Sequence, residues 1–119
     1  MQILEKRTSE DVRVDIDCSM LLGPDETIQT VTSKTAEPTS APPIVLAAPS
    51  INTQPVTYTD DNNNARTVAI GKVIQLNISG GLIPTGVRTH SYILRFVLQT
   101  SANPAVEATV LLILKDQPS

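Results

Sequence analysis

The sequence predicts an all-β fold, an antiparallel β-sandwich of about seven strands within one domain spanning residues 1–119. Thr, Val and Ile make up 36 of the 119 residues, and β-branched side chains favour strands over helices. Apolar and polar residues alternate in several short segments, and no segment shows helical periodicity. Turn signals recur roughly every 8–12 residues, a spacing typical of sandwiches.

The clearest strand lies in residues 12–18, where Val12, Val14, Ile16 and Cys18 alternate with charged side chains. This period of two places the four apolar side chains on one face, which we expect to lie in a core. Cys18 is therefore predicted to be a small buried hydrophobe rather than a reactive thiol.

A second short strand is predicted at residues 27–32, after a Gly-Pro-Asp turn at residues 23–25. Ile28 and Val31 are three residues apart, so a regular strand would point them to opposite faces. Either a β-bulge or a strand with two apolar faces accounts for this break in the alternation.

Residues 33–57 differ in composition, since they hold five of the nine prolines together with many Ser, Thr and Ala residues. Proline donates no ladder hydrogen bond, so we expect an extended arm or long loop with at most one edge strand. Alternatively, the apolar run 44–48 is a core strand bracketed by prolines. Long unstructured loops are unusual in a compact domain, and we expect the arm to pack against a neighbouring subunit through Ile44, Val45 and Leu46.

A hairpin is predicted next, with strands at 56–59 and 66–70 joined by a polar Asp/Asn turn. Gly71-Lys72 then closes a two-residue turn, or else residues 67–78 form one long bulged strand. Residues 73–78 are strongly β-forming in either case, and the Gly80-Gly81 pair ends them.

The last two strands, 89–100 and 106–114, are long and joined by a short turn, which predicts an antiparallel hairpin at the centre of the core. Their second faces are also partly apolar, at Ile93 and Val97 in the first strand and at Leu111 and Ile113 in the second. Since a sheet in a sandwich has only one inner face, this second face indicates a covered surface, and Leu111 and Ile113 are predicted to lie in a subunit contact. The expected class is an immunoglobulin-like sandwich without the Cys-Trp-Cys hallmark.

The sequence contains few residues that could catalyse a reaction or bind a metal. One Cys and one His exclude a disulfide framework and a Cys-rich zinc site, so we expect no metal or cofactor and no enzymatic activity. A net charge of −3 and few aromatic residues argue against nucleic-acid binding. The apolar runs are too short to span a membrane, and no signal peptide is evident.

Both ends of the chain carry a resemblance to a known family. The motifs run from Glu10 through Ile16-Asp17-Cys18-Ser19 to Glu26-Thr27-Ile28, and then from Val73 through Asn77-Ile78-Ser79-Gly80-Gly81 to Gly86, Tyr92 and Thr100. Together they resemble small structural proteins of tailed bacteriophages, often described as fibre–tail adaptor or virion structural proteins. The pattern covers roughly half of the chain, with Cys18 and Asn77 standing where the family has Trp.

The resemblance implies an immunoglobulin-like sandwich, a multi-copy place in a virion and no catalysis. The expected function is therefore an assembly adaptor at the neck, tail or fibre attachment, which binds other virion proteins and forms a homo-oligomer in the particle. The alternative is a capsid decoration protein that stabilises the shell. The competing hypotheses from other classes are a glycan- or host-surface-binding module, which the scarcity of aromatic residues argues against, and a small hydrolase, for which the sequence shows no catalytic motif.

Overall fold

A computed structural model describes residues 2–7, 10–37, 44–60, 62–81, 83 and 88–115. This part of the chain is all-β apart from a short 3-10 turn at Ser19–Leu21. The strands are β1 (Gln2–Arg7), β2 (Val12–Asp17), β3 (Ile28–Glu37), β4 (Ile44–Leu46), β5 (Ser50–Ile51), β6 (Val56–Thr59), β7 (Ala65–Val68), β8 (Val73–Gly80), β9 (Thr89–Thr100) and β10 (Val106–Lys115). The described part of the chain contains no helix that could span a bilayer.

The strands form two main sheets and a separate hairpin. Sheet A has the order β1-β10-β9-β3, and sheet B consists of β8 with β2 on one side and β4 and β5 on the other. β6 and β7 pair only with each other among the described strands. The predicted all-β, sandwich-like fold is confirmed, with ten described strands instead of about seven because β1 was not foreseen and the middle of the chain holds additional short strands.

The core lies between the two sheets, and the hairpin β9–β10 is at its centre, as the sequence predicts. Alternate residues of both strands are fully or almost fully buried, from Tyr92 to Leu98 and from Ala108 to Leu114. Ile74, Leu76 and Ile78 of β8 face them from sheet B. Burying each large aliphatic side chain stabilises the fold by about 1.5–3 kcal/mol. Cys18 is also buried in this core, as expected.

Strand β1 makes the one parallel pairing among the described strands, beside β10, whereas the sequence predicts an antiparallel sandwich. It belongs to sheet A although the next strand, β2, belongs to sheet B. The Gln2 side chain links them, because its Nε2 donates to the Asp15 carbonyl (2.9 Å) and its Oε1 accepts from the Asp17 amide (3.0 Å). These bonds satisfy two polar groups on the edge of β2 that would otherwise need water.

Strand β3 resolves the break in alternation at Ile28 and Val31. Its pairing with β9 shifts register between Ile28 and Thr30 and again between Val31 and Ser33. The bulge alternative is therefore correct, because an extra residue changes which face the following side chains occupy. β3 also continues to Glu37, well beyond the predicted end at residue 32.

The expectation of at most one strand in residues 33–57 is wrong. The segment contains the end of β3, both β4 and β5, and the start of β6. β4 and β5 lie on the same side of β8, and Pro49 falls between them, which accounts for the interruption because proline donates no hydrogen bond to the ladder. Ile44 and Asn52 are buried, so the segment is an integral part of the domain. Pro38, Pro42 and Pro43 lie outside the described residues.

The predicted hairpin over residues 56–70 is confirmed as β6–β7, with Asp60 and Asn62–Asn64 in the described part of its turn. Neither alternative for the following residues is correct. The chain leaves the hairpin at Val68 and enters sheet B at Val73, so β7 and β8 are separate strands that do not pair. Gly71 makes the bend between them with a φ of +83°, a conformation that glycine adopts without steric cost.

Candidate functional site

The outer face of sheet A, which points away from the core, carries an unusual group of aliphatic side chains. The register of the sheet places Ile3 of β1 beside Leu111 of β10, and Leu111 beside Ile93 of β9. Ile113 is the next outward-facing residue of β10 and lies between Glu5 and Ser91. We refer to Ile3, Ile93, Leu111 and Ile113 as the outer patch.

The outer patch contributes little to the protein's own core. Ile3 is 59% exposed, and the other three side chains are half-buried. None of the four belongs to the core cluster or to the half-buried hydrophobic residues that pack against it. Isolated exposed aliphatic residues are common on protein surfaces, but four neighbours on the outer face of a sheet form the kind of patch that marks an interaction site.

Cross-strand ion pairs border the outer patch. At one end, Arg95 contacts Glu37 through Nη1 (3.0 Å) and Glu107 through Nε (3.4 Å). At the other end, the Lys115 Nζ lies 3.1 Å from Glu5 Oε2. Because these side chains remain largely exposed, each pair adds only about 0–1 kcal/mol to stability. An apolar centre with a charged rim is the usual composition of a protein–protein interface.

The structure brings together only some of the residues predicted to make contacts. Leu111 and Ile113 both lie in the outer patch, on the solvent side of sheet A as expected. Ile44, Val45 and Leu46 instead form β4 at the edge of sheet B. The two predicted groups therefore lie on different sheets and do not form one surface.

The three residues of β4 also differ from one another. Ile44 is buried at 7% exposure, and its Cδ1 closely approaches the backbone at Gly81, where an added Cβ would come within 2.6 Å of it. Leu46 packs against the core, whereas Val45 is 51% exposed. Ile44 therefore has almost no surface to offer a partner, and only Val45 of this group is freely accessible.

Sequence reasoning missed Ile3 as a member of the outer patch, whereas the alternation in residues 89–100 already places Ile93 on the same outward face as Val97. Ile3 is followed directly by Leu4, which packs against the core, so the two adjacent apolar residues give no alternating pattern that would mark a strand. The position of Ile3 beside Leu111 follows from the parallel pairing of β1 with β10, which joins residues more than a hundred positions apart in the chain.

A small cavity lies between the hairpin β6–β7 and the outer face of sheet B. Val56, Val68 and Val73 form its apolar part, and the Tyr58 hydroxyl beside it donates to Asp17 Oδ2 at 2.9 Å. This hydrogen bond raises the pKa of Tyr58, because the neutral phenol donates to the Asp17 carboxylate and the phenolate could not. The cavity volume of about 110 Å³ is well below the size of most small-molecule sites.

Every buried side-chain nitrogen or oxygen described has a hydrogen-bond partner. The His90 ring packs edge-on against Tyr92, with the ring centres 4.7 Å apart. Across the described part of the chain, no three His, Cys, Asp or Glu side chains are grouped so that they could hold a metal ion. The outer patch is therefore the strongest candidate site.

Comparisons with protein-family models, with curated proteins and with solved structures found no match to this chain.

Proposed function

We propose that this chain is a non-enzymatic structural protein of a tailed-bacteriophage virion, an assembly adaptor at the neck, tail or fibre attachment. The observation that carries the proposal is the outer patch, a cluster of aliphatic side chains with a charged rim on the outer face of sheet A. Covering such a surface with a partner lowers the free energy of the system, since apolar area is removed from water. The motifs at the two ends of the chain supply the virion setting.

We further propose that the sandwich is immunoglobulin-like, and the strand order supports this. In immunoglobulin sandwiches one sheet contains strands B, E and D, and the other contains C, F and G. β2, β8 and β4 follow the first order, and β3, β9 and β10 follow the second. β1 would then be strand A, placed beside G rather than beside B, and the hairpin β6–β7 would be an insertion between D and E.

Quantitative mass spectrometry of purified particles tests the proposal. A copy number that is a small fraction of that of the major shell protein supports the adaptor function. A ratio near one would instead favour capsid decoration, the alternative within the same class. Absence of the chain from particles would contradict both functions.

Replacement of Leu111 by Lys tests whether the outer patch is the contact face. We expect Leu111→Lys to fold normally, because the side chain lies outside the core, and to be depleted from particles at least about tenfold, since a buried unpaired charge weakens an interface. Thr59→Lys, an exposed change on the hairpin β6–β7, is the matched control and should be incorporated normally. Normal incorporation of folded Leu111→Lys would contradict a role of this face.

A further inference from the structure

We infer that the outer patch binds the same patch of a second copy of this chain, in an antiparallel, two-fold-symmetric contact centred on Leu111. This inference rests on the proposed function, because it identifies the partner of the same contact face. The evidence is the distribution of charge along β10.

Charges of opposite sign flank Leu111 at equal distances on one strand. Glu107 and Lys115 each lie four residues from Leu111 in β10, one before it and one after it. Residues separated by an even number of positions share one face of a strand, so both charged side chains point outward with Leu111. At a rise of about 3.3 Å per residue, each lies roughly 13 Å from Leu111 along the strand.

A two-fold axis through Leu111, running across the strands between two facing sheets, reverses the direction of β10 in the second copy. Leu111 then faces the second Leu111, and Glu107 of each copy faces Lys115 of the other. Ile113 lies over Thr109 of the second copy, so aliphatic groups stay in the centre. A two-fold contact of this kind buries the same patch on both subunits.

Charge complementarity favours this arrangement over a parallel one. If the two β10 strands ran in the same direction, Glu107 would face Glu107 and Lys115 would face Lys115, and like charges in an interface are strongly unfavourable. In the antiparallel arrangement both contacts are attractive. Glu107 and Lys115 are 57% and 42% exposed, so each can reach a second partner while it keeps its present pairs with Arg95 and Glu5.

The geometry also fits the packing of facing sheets. Sheets that pack face to face lie about 10 Å apart, with their strands rotated by roughly 30°. Glu and Lys are long enough to bridge this gap at the rim, whereas the shorter aliphatic side chains of the outer patch fill the centre. The border charges therefore set the orientation, and the aliphatic residues supply most of the buried apolar area.

Charge reversal tests the inference on the full chain by sedimentation equilibrium and light scattering. We expect the wild type to form a dimer whose Kd is raised at least about tenfold by either Glu107→Lys or Lys115→Glu, because each creates two like-charge contacts per dimer. Combining the two changes in one chain should restore dimer formation. Mixing the two single variants should produce a heterodimer, since one copy is then positive at both ends and the other negative at both.

Asp25→Lys is the control for the charge reversals. It makes the same change in net charge as Glu107→Lys, but at an exposed position in the turn before β3, so it alters neither the outer patch nor the ion pairs at its border. Its Kd should stay within about threefold of the wild type, since it leaves both proposed intersubunit pairs intact. Equal weakening by Asp25→Lys and Glu107→Lys would contradict the proposed register.

Comparing dimer formation with incorporation into particles distinguishes failure of this inference from failure of the proposed function. Two outcomes would overturn the inference, and a third would contradict only the role of the contact in assembly. If the wild type stays monomeric at all concentrations while Leu111→Lys is still depleted from particles, the outer patch binds a different virion protein. A dimer that Leu111→Lys does not weaken uses another surface, and the inference is wrong. If Leu111→Lys abolishes the dimer but is incorporated normally, the symmetric contact exists and its role in assembly is wrong.

Discussion

At the scale of single residues, the buried amide of Asn52 connects its own segment of the chain to residues 69–73. Its Nδ2 donates to the carbonyls of Gln54 (2.7 Å) and Ala69 (3.1 Å). Its Oδ1 accepts from the amides of Gly71 (3.0 Å), Lys72 (3.2 Å) and Val73 (3.0 Å). One side chain thus makes hydrogen bonds to five backbone groups, and such groups are costly to bury without a partner. These bonds position the start of β8 against β5.

Glu26 is a second buried polar residue with a structural role. Its Oε1 accepts from the Gly23 amide (2.9 Å), and its Oε2 accepts from the Thr100 hydroxyl and from Asn103 Nδ2 (3.0 Å). These bonds join the turn before β3 to the turn after β9. Hydrogen bonds from Thr100, Gly23 and Asn103 favour the carboxylate and lower the pKa of Glu26 below its ordinary value of 4.5.

This lowered pKa predicts a loss of stability in acid. A carboxyl whose pKa is lower in the folded state stabilises the fold above its unfolded pKa, and this contribution is lost as the pH falls through the folded pKa. We expect Glu26→Gln to lower the free energy of unfolding at pH 7, and the gap from the wild type to narrow below pH 4.5. Urea unfolding at pH 7 and at pH 3 measures both gaps.

Asp25→Asn is the control for the Glu26 experiment. Asp25 is the exposed neighbour of Glu26, and removing its charge should change the free energy of unfolding little at either pH. A gap between Glu26→Gln and the wild type that is equally large at pH 3 and pH 7 would contradict a stabilising role of the ionised carboxylate.

At the scale of elements, the bend between β7 and β8 depends on Gly71. Its φ of +83° is unfavourable for other residues, and a Cβ at this position would lie 2.9 Å from the Cβ and Cγ2 of Thr27. Gly71→Ala is therefore expected to lower the free energy of unfolding by about 2 kcal/mol, from backbone strain and steric overlap. Chemical denaturation measures this loss.

Gly23→Ala is the matched control for Gly71→Ala. An added Cβ at Gly23 would lie 3.8 Å from its nearest neighbour, Glu26 Oε1, which is an ordinary contact. Its φ lies outside the left-handed region, so the change should alter stability by no more than about 0.5 kcal/mol. Equal losses for the two variants would show that the bend at Gly71 is not the sensitive feature.

At the scale of the whole molecule, Cys18 reports on opening of the sandwich. Its thiol is fully buried in the core between the sheets. Burial, reinforced by the neighbouring Asp17 carboxylate, raises the pKa of Cys18 to about 12. Since the thiolate is the reactive form, the native thiol is both inaccessible and protonated.

Cys18 is therefore expected to react with a thiol reagent only when the core opens. At pH 8 the native protein should react at least about a hundredfold more slowly than the urea-unfolded protein, because opening of core strands requires most of the global unfolding free energy. The control is Cys18→Ala combined with Met20→Cys, which places a thiol at a position that is 94% exposed in the wild type. Equally fast labelling of the two native proteins would contradict the closed core.

The class of the fold and the inward faces of its principal strands follow from the sequence. Alternation at residues 12–18, 89–100 and 106–114 predicts the buried side chains of β2, β9 and β10, because a strand's two faces follow directly from a period of two. The same alternation identified Leu111 and Ile113 as outward-facing. Both properties are local, so no knowledge of the partner strands is needed.

Which strands are neighbours, and therefore where the candidate site lies, depends on the folded chain as a whole. Pairing of β1 with β10 and of β4 with β8 joins segments that are distant in the chain, and no periodicity encodes such a pairing. The first pairing places Ile3 beside Leu111 and so extends the predicted contact surface on β10. The second buries Ile44 and so removes most of the contact surface predicted in β4. The physical reason is that exposure depends on which long-range pairings bury the most apolar area, a property of the whole chain.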